Sequence, residues 1–136
     1  MSNVEIKATR DPYLIKQIAA VGLRNRIFHS DGCMKEWYKN SETDIHAIAI
    51  AYIGNTPVGI AMITNTKHFY TLMMTFSNGV DKNILGVYVK TLYRKKGIGT
   101  KLIEELKKVT KVPMVAVASH KQGILFYKKT KVKNVA

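Results

Sequence analysis

The spacing of hydrophobic positions changes along the chain, and each change predicts an element. Residues 4–8 alternate as a half-buried strand does, and Asp11-Pro12 then places a capping carboxylate before a proline at the first helical position. A helix is therefore predicted from this point. Its apolar stripe is expected at three residues that recur at i, i+4 and i+7, namely Leu14, Ile18 and Val21.

The middle of the chain has the pattern of a short helix followed by a hairpin. Residues 33–39 place large apolar side chains on one helical face, which favours packing over a site. Two apolar, β-branched runs at 45–53 and 58–64 are joined by turn residues at 54–57, and this predicts two antiparallel strands. Residues 65–75 fit either a further strand or a loop, and the sequence leaves both open.

A strand, a helix and a second strand are predicted next. Residues 84–90 have strand composition, and 112–118 form another strand that is entered through a proline. Glu104 and Lys108 of the intervening helix are expected to pair at i, i+4. The buried stripe of that helix is predicted at Ile98, Leu102, Leu106 and Val109.

A last helix is predicted near the end of the chain. Residues 119–122 fit a capping box, and residues 124–126 are expected to begin the packed turn. The remaining residues leave room for one very short strand at most. There are no internal repeats or linkers, so one domain over residues 1–136 is predicted.

Composition supports a folded cytoplasmic protein. The chain has 136 residues, 46% hydrophobic and 23% charged, which excludes disorder, collagen and coiled coil as descriptions of the whole. The single cysteine, Cys33, cannot form an internal disulfide, and the first residues lack the apolar segment of a secretion signal. No apolar run has the length of a membrane span, so no membrane association is expected.

The net charge of +13 is concentrated in one part of the chain. Residues 1–80 carry a net charge of +2, whereas residues 81–136 carry +11. Such a surface must face phosphates, acidic partners or a counterion cloud, because unpaired positive charges repel one another. Solubility alone is the plain alternative.

The sequence Arg94-Lys-Lys-Gly-Ile-Gly-Thr100 stands where a strand has ended and an amphipathic helix begins. The unpaired N–H groups of a first helical turn bind anions, and glycine lets backbone approach a diphosphate closely. Lys95, Lys96 and Lys101 add attraction for negative charge. The segment has neither the Gly-Lys-Ser/Thr of a P-loop nor the third glycine and acidic residue of a dinucleotide-binding fold.

These residues resemble the GNAT superfamily of acetyl-CoA-dependent N-acetyltransferases, whose motif is Arg/Gln-x-x-Gly-x-Gly/Ala after a strand. Residues 87–100 resemble the strand, turn, loop and helix start of that family, except that Thr91 replaces a common proline. The hairpin at 49–62 and the pair Phe126-Tyr127 are similar to it as well. The resemblance implies an α/β (α+β) fold with a mixed, mostly antiparallel central sheet flanked by helices and splayed between strands 84–90 and 112–118.

The resemblance also implies a site for acetyl-CoA, with no metal. The pantetheine arm would enter the splay and bind the backbone of Val87 and Val89, and the Val89 N–H would polarise the thioester carbonyl. Tyr127 would protonate the leaving thiolate as a general acid, and simple core packing is the alternative role for this residue. The residues implied to bind the diphosphate are Arg94, Lys95, Lys96, Gly97, Ile98, Gly99 and Thr100.

The chain departs from the family at several positions. His120 stands where the family often has an asparagine that contacts the cofactor, and it could bind phosphate, act as a base or lie exposed at a helix start. Lys131-Val132 replaces a glycine-aromatic pair, and the short end beyond it suggests a homodimer that completes the acceptor pocket. Strands 84–90 and 112–118 lack glutamate, so the general base stays open.

The function that the resemblance implies is transfer of an acetyl group from acetyl-CoA to an amine. The acceptor is unknown, and the basic half of the chain suggests an amine on or near a polyanion. The alternative is a non-catalytic basic module of the same fold that binds nucleic acid or an acidic protein.

Overall fold

The computed structural model of the chain describes residues 3–27, 45–65, 83–116 and 121–134. The helix predicted at 33–39, residues 66–75 of the open segment, the last residues of the strand predicted at 112–118 and the capping-box residues before Lys121, His120 among them, lie outside the described residues.

The described part of the chain forms six strands, three helices and one short 3-10 turn. The strands are β1 Val4–Thr9, β2 Ile45–Ile53, β3 Thr56–Asn65, β4 Asn83–Val89, β5 Met114–Ala116 and β6 Lys133–Asn134. The helices are α1 Pro12–Arg24, α2 Ile98–Val109 and α3 Lys121–Thr130, and the 3-10 turn is Thr91–Tyr93.

The six strands form one sheet in chain order, from β1 to β6. The first three pairings, β1 with β2, β2 with β3 and β3 with β4, are antiparallel. The last two, β4 with β5 and β5 with β6, are parallel. The predicted mixed, mostly antiparallel sheet is therefore confirmed, as are the hairpin of β2 and β3 and the very short last strand.

The core lies on both faces of the sheet, and β2 shows how the two faces differ. Its residues Ile48 and Ile50 pack with α1 on one face, whereas the alanines at 47, 49 and 51 pack with α2 on the other. Small side chains on the α2 face leave room for that helix, which buries Ile98, Leu102, Ile103 and Leu106. The position of α2 matters for the candidate active site described below, because the first turn of this helix lies beside β4.

The buried stripe predicted for α1 is wrong for Leu14, whereas Ile18 and Val21 are partly buried and pack against the core. Asp11 caps the helix as expected, since its carboxylate accepts hydrogen bonds from the N–H groups of residues 13 and 14 at 2.8 and 3.3 Å. The buried positions are Ile15, Ala19 and Gly22, while Leu14 is 43% exposed. Both stripes have the same helical spacing, and the small residues at 19 and 22 allow the closer approach to the sheet.

Two further expectations for the helices are also wrong. Lys108 pairs with Glu105 rather than Glu104, with 2.7 Å between its ammonium nitrogen and a carboxylate oxygen. In α3, Ile124 and Leu125 are 42% and 55% exposed, because the helix packs through the two aromatic residues that follow them. None of the described helices is long and apolar enough to cross a membrane.

Candidate active site

The described part of the sheet opens between β4 and β5. Among the described residues the two strands pair over 83–85 and 114–116, and β4 continues to Val89. The N–H of Lys90 donates to the carbonyl of Val58 on β3 at 2.8 Å. Since hydrogen-bonded positions alternate along an antiparallel pair, the backbone groups of Val87 and Val89 point away from β3, toward the opening. The predicted splay is confirmed, and it exposes the two residues that the resemblance implied.

Arg94 ties the loop after β4 back to the strand. Its Nε donates to the carbonyl oxygen of Val89 at 2.7 Å, and its guanidinium lies 5.3 Å from the ring centroid of Tyr88. This hydrogen bond occupies the Val89 carbonyl from the side of the opening. The Val89 N–H remains directed into the gap as a donor.

The first turn of α2 supplies further donors. Gly97 caps the helix in the left-handed conformation, with φ +81°, and no side chain caps the turn. The N–H of Lys101 donates to the carbonyl of Gly97 at 3.1 Å, so the amides of residues 98–100 have no acceptor within the helix. No acidic residue lies in this turn to compete for them. The arrangement is an anion site next to the opening in the sheet.

The two glycines of this loop have different reasons to be glycine. At Gly97 an added Cβ would meet nothing within 4 Å, so the left-handed backbone is what favours glycine there. At Gly99 an added Cβ would lie 2.9 Å from the ring of Phe126. The missing side chain of Gly99 therefore also makes room for α3, a role that the sequence did not indicate.

Tyr127 is buried at the same opening. Burial raises the pKa of its hydroxyl to about 12, and a hydrogen bond from the backbone N–H of Val87 acts in the opposite direction. Its ring packs edge-on against Phe126, with 5.1 Å between the ring centroids. The hydroxyl is therefore neutral at physiological pH and keeps a proton that it can donate toward the gap.

A cleft of about 790 Å³ joins the opening, the loop and one face of α3. Nine of the residues predicted for the site line it: Val87, Val89, Arg94, Lys95, Gly97, Ile98, Gly99, Thr100 and Tyr127. Lys96 does not line it, and its ammonium instead lies 5.9 Å from the ring centroid of Tyr93, on the surface. The role predicted for Lys96 in binding the cofactor stays a prediction.

Seven lining residues were not predicted for the site: Tyr88, Thr91, Tyr93, Gln122, Gly123, Phe126 and Lys129. Three of them, Gln122, Phe126 and Lys129, are spaced i, i+4 and i+7 along α3. That spacing is visible in the sequence, but only the packing of α3 shows which of its faces meets the cleft. No cluster of three His, Cys, Asp or Glu side chains that could hold a metal occurs in the described ranges.

The sequence profile of a family described as "Acetyltransferase (GNAT) domain" matches residues 44–130. The match covers more than half of the chain and includes β4, the loop at residues 94–100, here called the anion loop, and α3. The chain therefore belongs to the GNAT acetyltransferase family, as its motif indicated. No curated protein matches the sequence.

Solved acetyltransferase structures share the fold. The aminoglycoside N-acetyltransferase AAC(6')-Iy in complex with CoA is 15% identical, with all of this chain and 91% of the other covered and a TM-score of 0.58. A predicted acetyltransferase from Clostridium acetobutylicum with acetyl-CoA is 17% identical over 98% and 92% of the two chains, with a TM-score of 0.54. The aminoglycoside acetyltransferase meta-AAC0020, from an uncultured soil metagenomic sample and in complex with sisomicin, is 16% identical over 94% and 87%, with a TM-score of 0.55.

Proposed function

We propose that this protein is an N-acetyltransferase that transfers the acetyl group of acetyl-CoA to an amine. The observation that carries the proposal is the continuity of one cleft, in which outward-facing backbone groups of β4 lead to the free amides of α2. Membership of the GNAT family supports the reaction class. Two of the structures that share the fold contain CoA or acetyl-CoA, which supports the donor.

The described residues fit such a donor. An extended arm that carries amide groups would meet the outward-facing Val87 carbonyl and Val89 N–H, since the Val87 N–H donates to Tyr127 and the Val89 carbonyl accepts from Arg94. A diphosphate would meet the amides of residues 98–100, with Lys95 beside them and space above Gly97. Acetyl-CoA would supply a thioester, which activates the acetyl group toward an amine.

The residues of the chain would then hold and polarise the reacting groups. The Val89 N–H would donate to the acyl oxygen, where negative charge develops. The Tyr127 hydroxyl would donate to the leaving sulfur. Because its pKa of about 12 exceeds the value near 8.5 of an ordinary thiol, its first contribution is a hydrogen bond to the developing thiolate. Complete proton transfer requires that the same burial also raise the basicity of the sulfur.

The acceptor is proposed only as an amine. Aminoglycosides are the first class to test, because structures that share the fold are named as aminoglycoside acetyltransferases. The charge of +11 on residues 81–136 also supports an amine carried on or near a polyanion, such as a nucleic acid or an acidic protein.

Release of free thiol from acetyl-CoA tests the reaction. The panel should contain aminoglycosides, polyamines, peptides with free amino groups and tRNA, each compared with a reaction that lacks amine. We expect amine-dependent thiol release with at least one class. If acetyl-CoA binds but no class promotes thiol release, the non-catalytic module of the same fold takes the place of the enzyme.

Calorimetry with a Gly97→Glu variant tests the donor site. The new carboxylate would lie at the anion site, so we expect loss of acetyl-CoA binding. Gly97→Gln is the matched control, since it bears the same left-handed strain and nearly the same volume without the charge. Retention of full affinity by a folded Gly97→Glu protein would exclude this loop as the donor site.

A further inference from the structure

Lys129 belongs to the cleft although its neighbours in sequence do not. It lines the cleft from α3, together with Gln122 and Phe126 on the same helical face. Lys128 is exposed as well but does not line it. The sequence alone groups both with the other lysines of the basic end of the chain, and the fold separates them.

The packing of Phe126 places Lys129 near the anion site. The Phe126 ring lies directly against Gly99, in the first turn of α2. Lys129 follows Phe126 by three residues on the same face of α3, which is nearly one helical turn, or about 4.5 Å along the axis. Its ammonium, on a flexible four-carbon stem, therefore reaches the region beside the free amides of α2.

Among the described residues, no acidic side chain forms an ion pair with Lys129. The chain contains no Asp or Glu beyond Glu105, and within the described ranges no salt bridge involves Lys129. Arg94 and Lys95 line the same cleft from the loop after β4. Cations thus stand on both walls of a cleft whose floor is a backbone anion site, which is more positive charge than one diphosphate on the amides requires.

We propose that Lys129 binds a phosphate group of CoA from the α3 wall of the cleft and thereby selects CoA over acyl thioesters that lack the nucleotide. The inference rests on the proposed function, because it takes acetyl-CoA as the donor. It assigns Lys129 to binding and selection, with no part in the acyl transfer itself.

The test compares Lys129→Gln with Lys128→Gln, a control that removes the same charge from the adjacent exposed position. Binding of acetyl-CoA, acetyl-3′-dephospho-CoA and S-acetylpantetheine is measured by calorimetry for the wild type and both variants, and circular dichroism verifies that each is folded. For Lys129→Gln we expect about a tenfold loss of affinity for acetyl-CoA and no change for S-acetylpantetheine. For Lys128→Gln we expect less than about a twofold change with each ligand.

The dephospho ligand identifies the phosphate. If the loss caused by Lys129→Gln disappears with acetyl-3′-dephospho-CoA, Lys129 binds the 3′-phosphate, and if it persists, Lys129 binds the diphosphate. Equal losses with acetyl-CoA and S-acetylpantetheine, or equal effects of the two variants, would overturn the inference while leaving the proposed function intact. Failure of the wild type to bind acetyl-CoA would instead overturn the proposed function and this inference with it.

Discussion

Replacement of Gly99 by alanine tests whether this glycine exists to accommodate Phe126. The new methyl group would lie 2.9 and 3.0 Å from two atoms at the far end of the ring, so the ring or α3 must move. Overpacking of this kind costs about 1–3 kcal/mol, and the gain from alanine in a helix offsets about 0.5–1 kcal/mol of it. We expect Gly99→Ala to lower the free energy of unfolding by about 1–2 kcal/mol.

The same substitution should change sign when the ring is absent. Phe126→Leu removes the ring atoms that the methyl group would contact, so in that background Gly99→Ala should be neutral or stabilising by up to about 1 kcal/mol. The double-mutant cycle should thus show a coupling of about 2 kcal/mol between the two positions. Urea unfolding followed by circular dichroism measures all four proteins.

Gly97→Ala is the matched control for this cycle. An alanine there adopts φ +81° at a cost of about 1–2 kcal/mol, but its methyl group meets nothing within 4 Å. Its effect should be the same with phenylalanine or leucine at position 126. If Gly99→Ala is also equally destabilising in both backgrounds, contact with Phe126 is not what requires glycine, and the account of α3 packing is refuted.

Three further predictions concern activity, charge and pH. Tyr127→Phe should lower kcat by about ten- to a thousandfold with little change in KM. The pKa of Tyr127 is about 12 in the folded protein against 10.0 ordinarily, so the wild type should lose about 3 kcal/mol of stability between pH 10 and 12. Urea unfolding should show that Tyr127→Phe abolishes this loss. Unchanged kcat would return Tyr127 to a packing role. The pKa of His46 is lowered by burial and, to a smaller extent, by the charge of Arg10, so the unfolded chain binds the proton more readily and stability should fall as the pH drops below about 6.5. His46→Gln should lack this fall in stability. Identical pH profiles of the urea midpoints of the two proteins would contradict the reasoning. The outer basic residues of the last part of the chain are Lys128, Lys131 and Lys133. Their neutralisation should leave acetyl-CoA affinity intact while reducing nucleic-acid binding and its salt slope in filter assays. Identical binding curves of the wild type and the variant would remove the polyanion proposal.

Local physics explains why much of the site could be predicted from the sequence. A helix cap, a hairpin turn and a glycine-rich loop between a strand and a helix each depend on a few adjacent residues. The anion loop at 94–100 is such a feature, and its amides are free because the helix begins there. Val87, Val89 and Tyr127 were reached through family resemblance, since no local pattern marks them.

Only the tertiary structure shows which side of each strand or helix packs against its neighbours and which side faces the cleft or solvent. The outward direction of Val87 and Val89 follows from the register of β3 on β4, and a shift of one residue would reverse it. Helical spacing alone does not distinguish Leu14 from Ile15 as a buried residue of α1, and the packing of the helix on the sheet decides between them. In the same way, Lys128 and Lys129 are identical in composition and charge, and only the packing of Phe126 against Gly99 turns one of them toward the cleft. The spacing of hydrophobic residues along the sequence indicates which faces of a helix or strand could be buried, but contacts between distant parts of the chain determine which of them is.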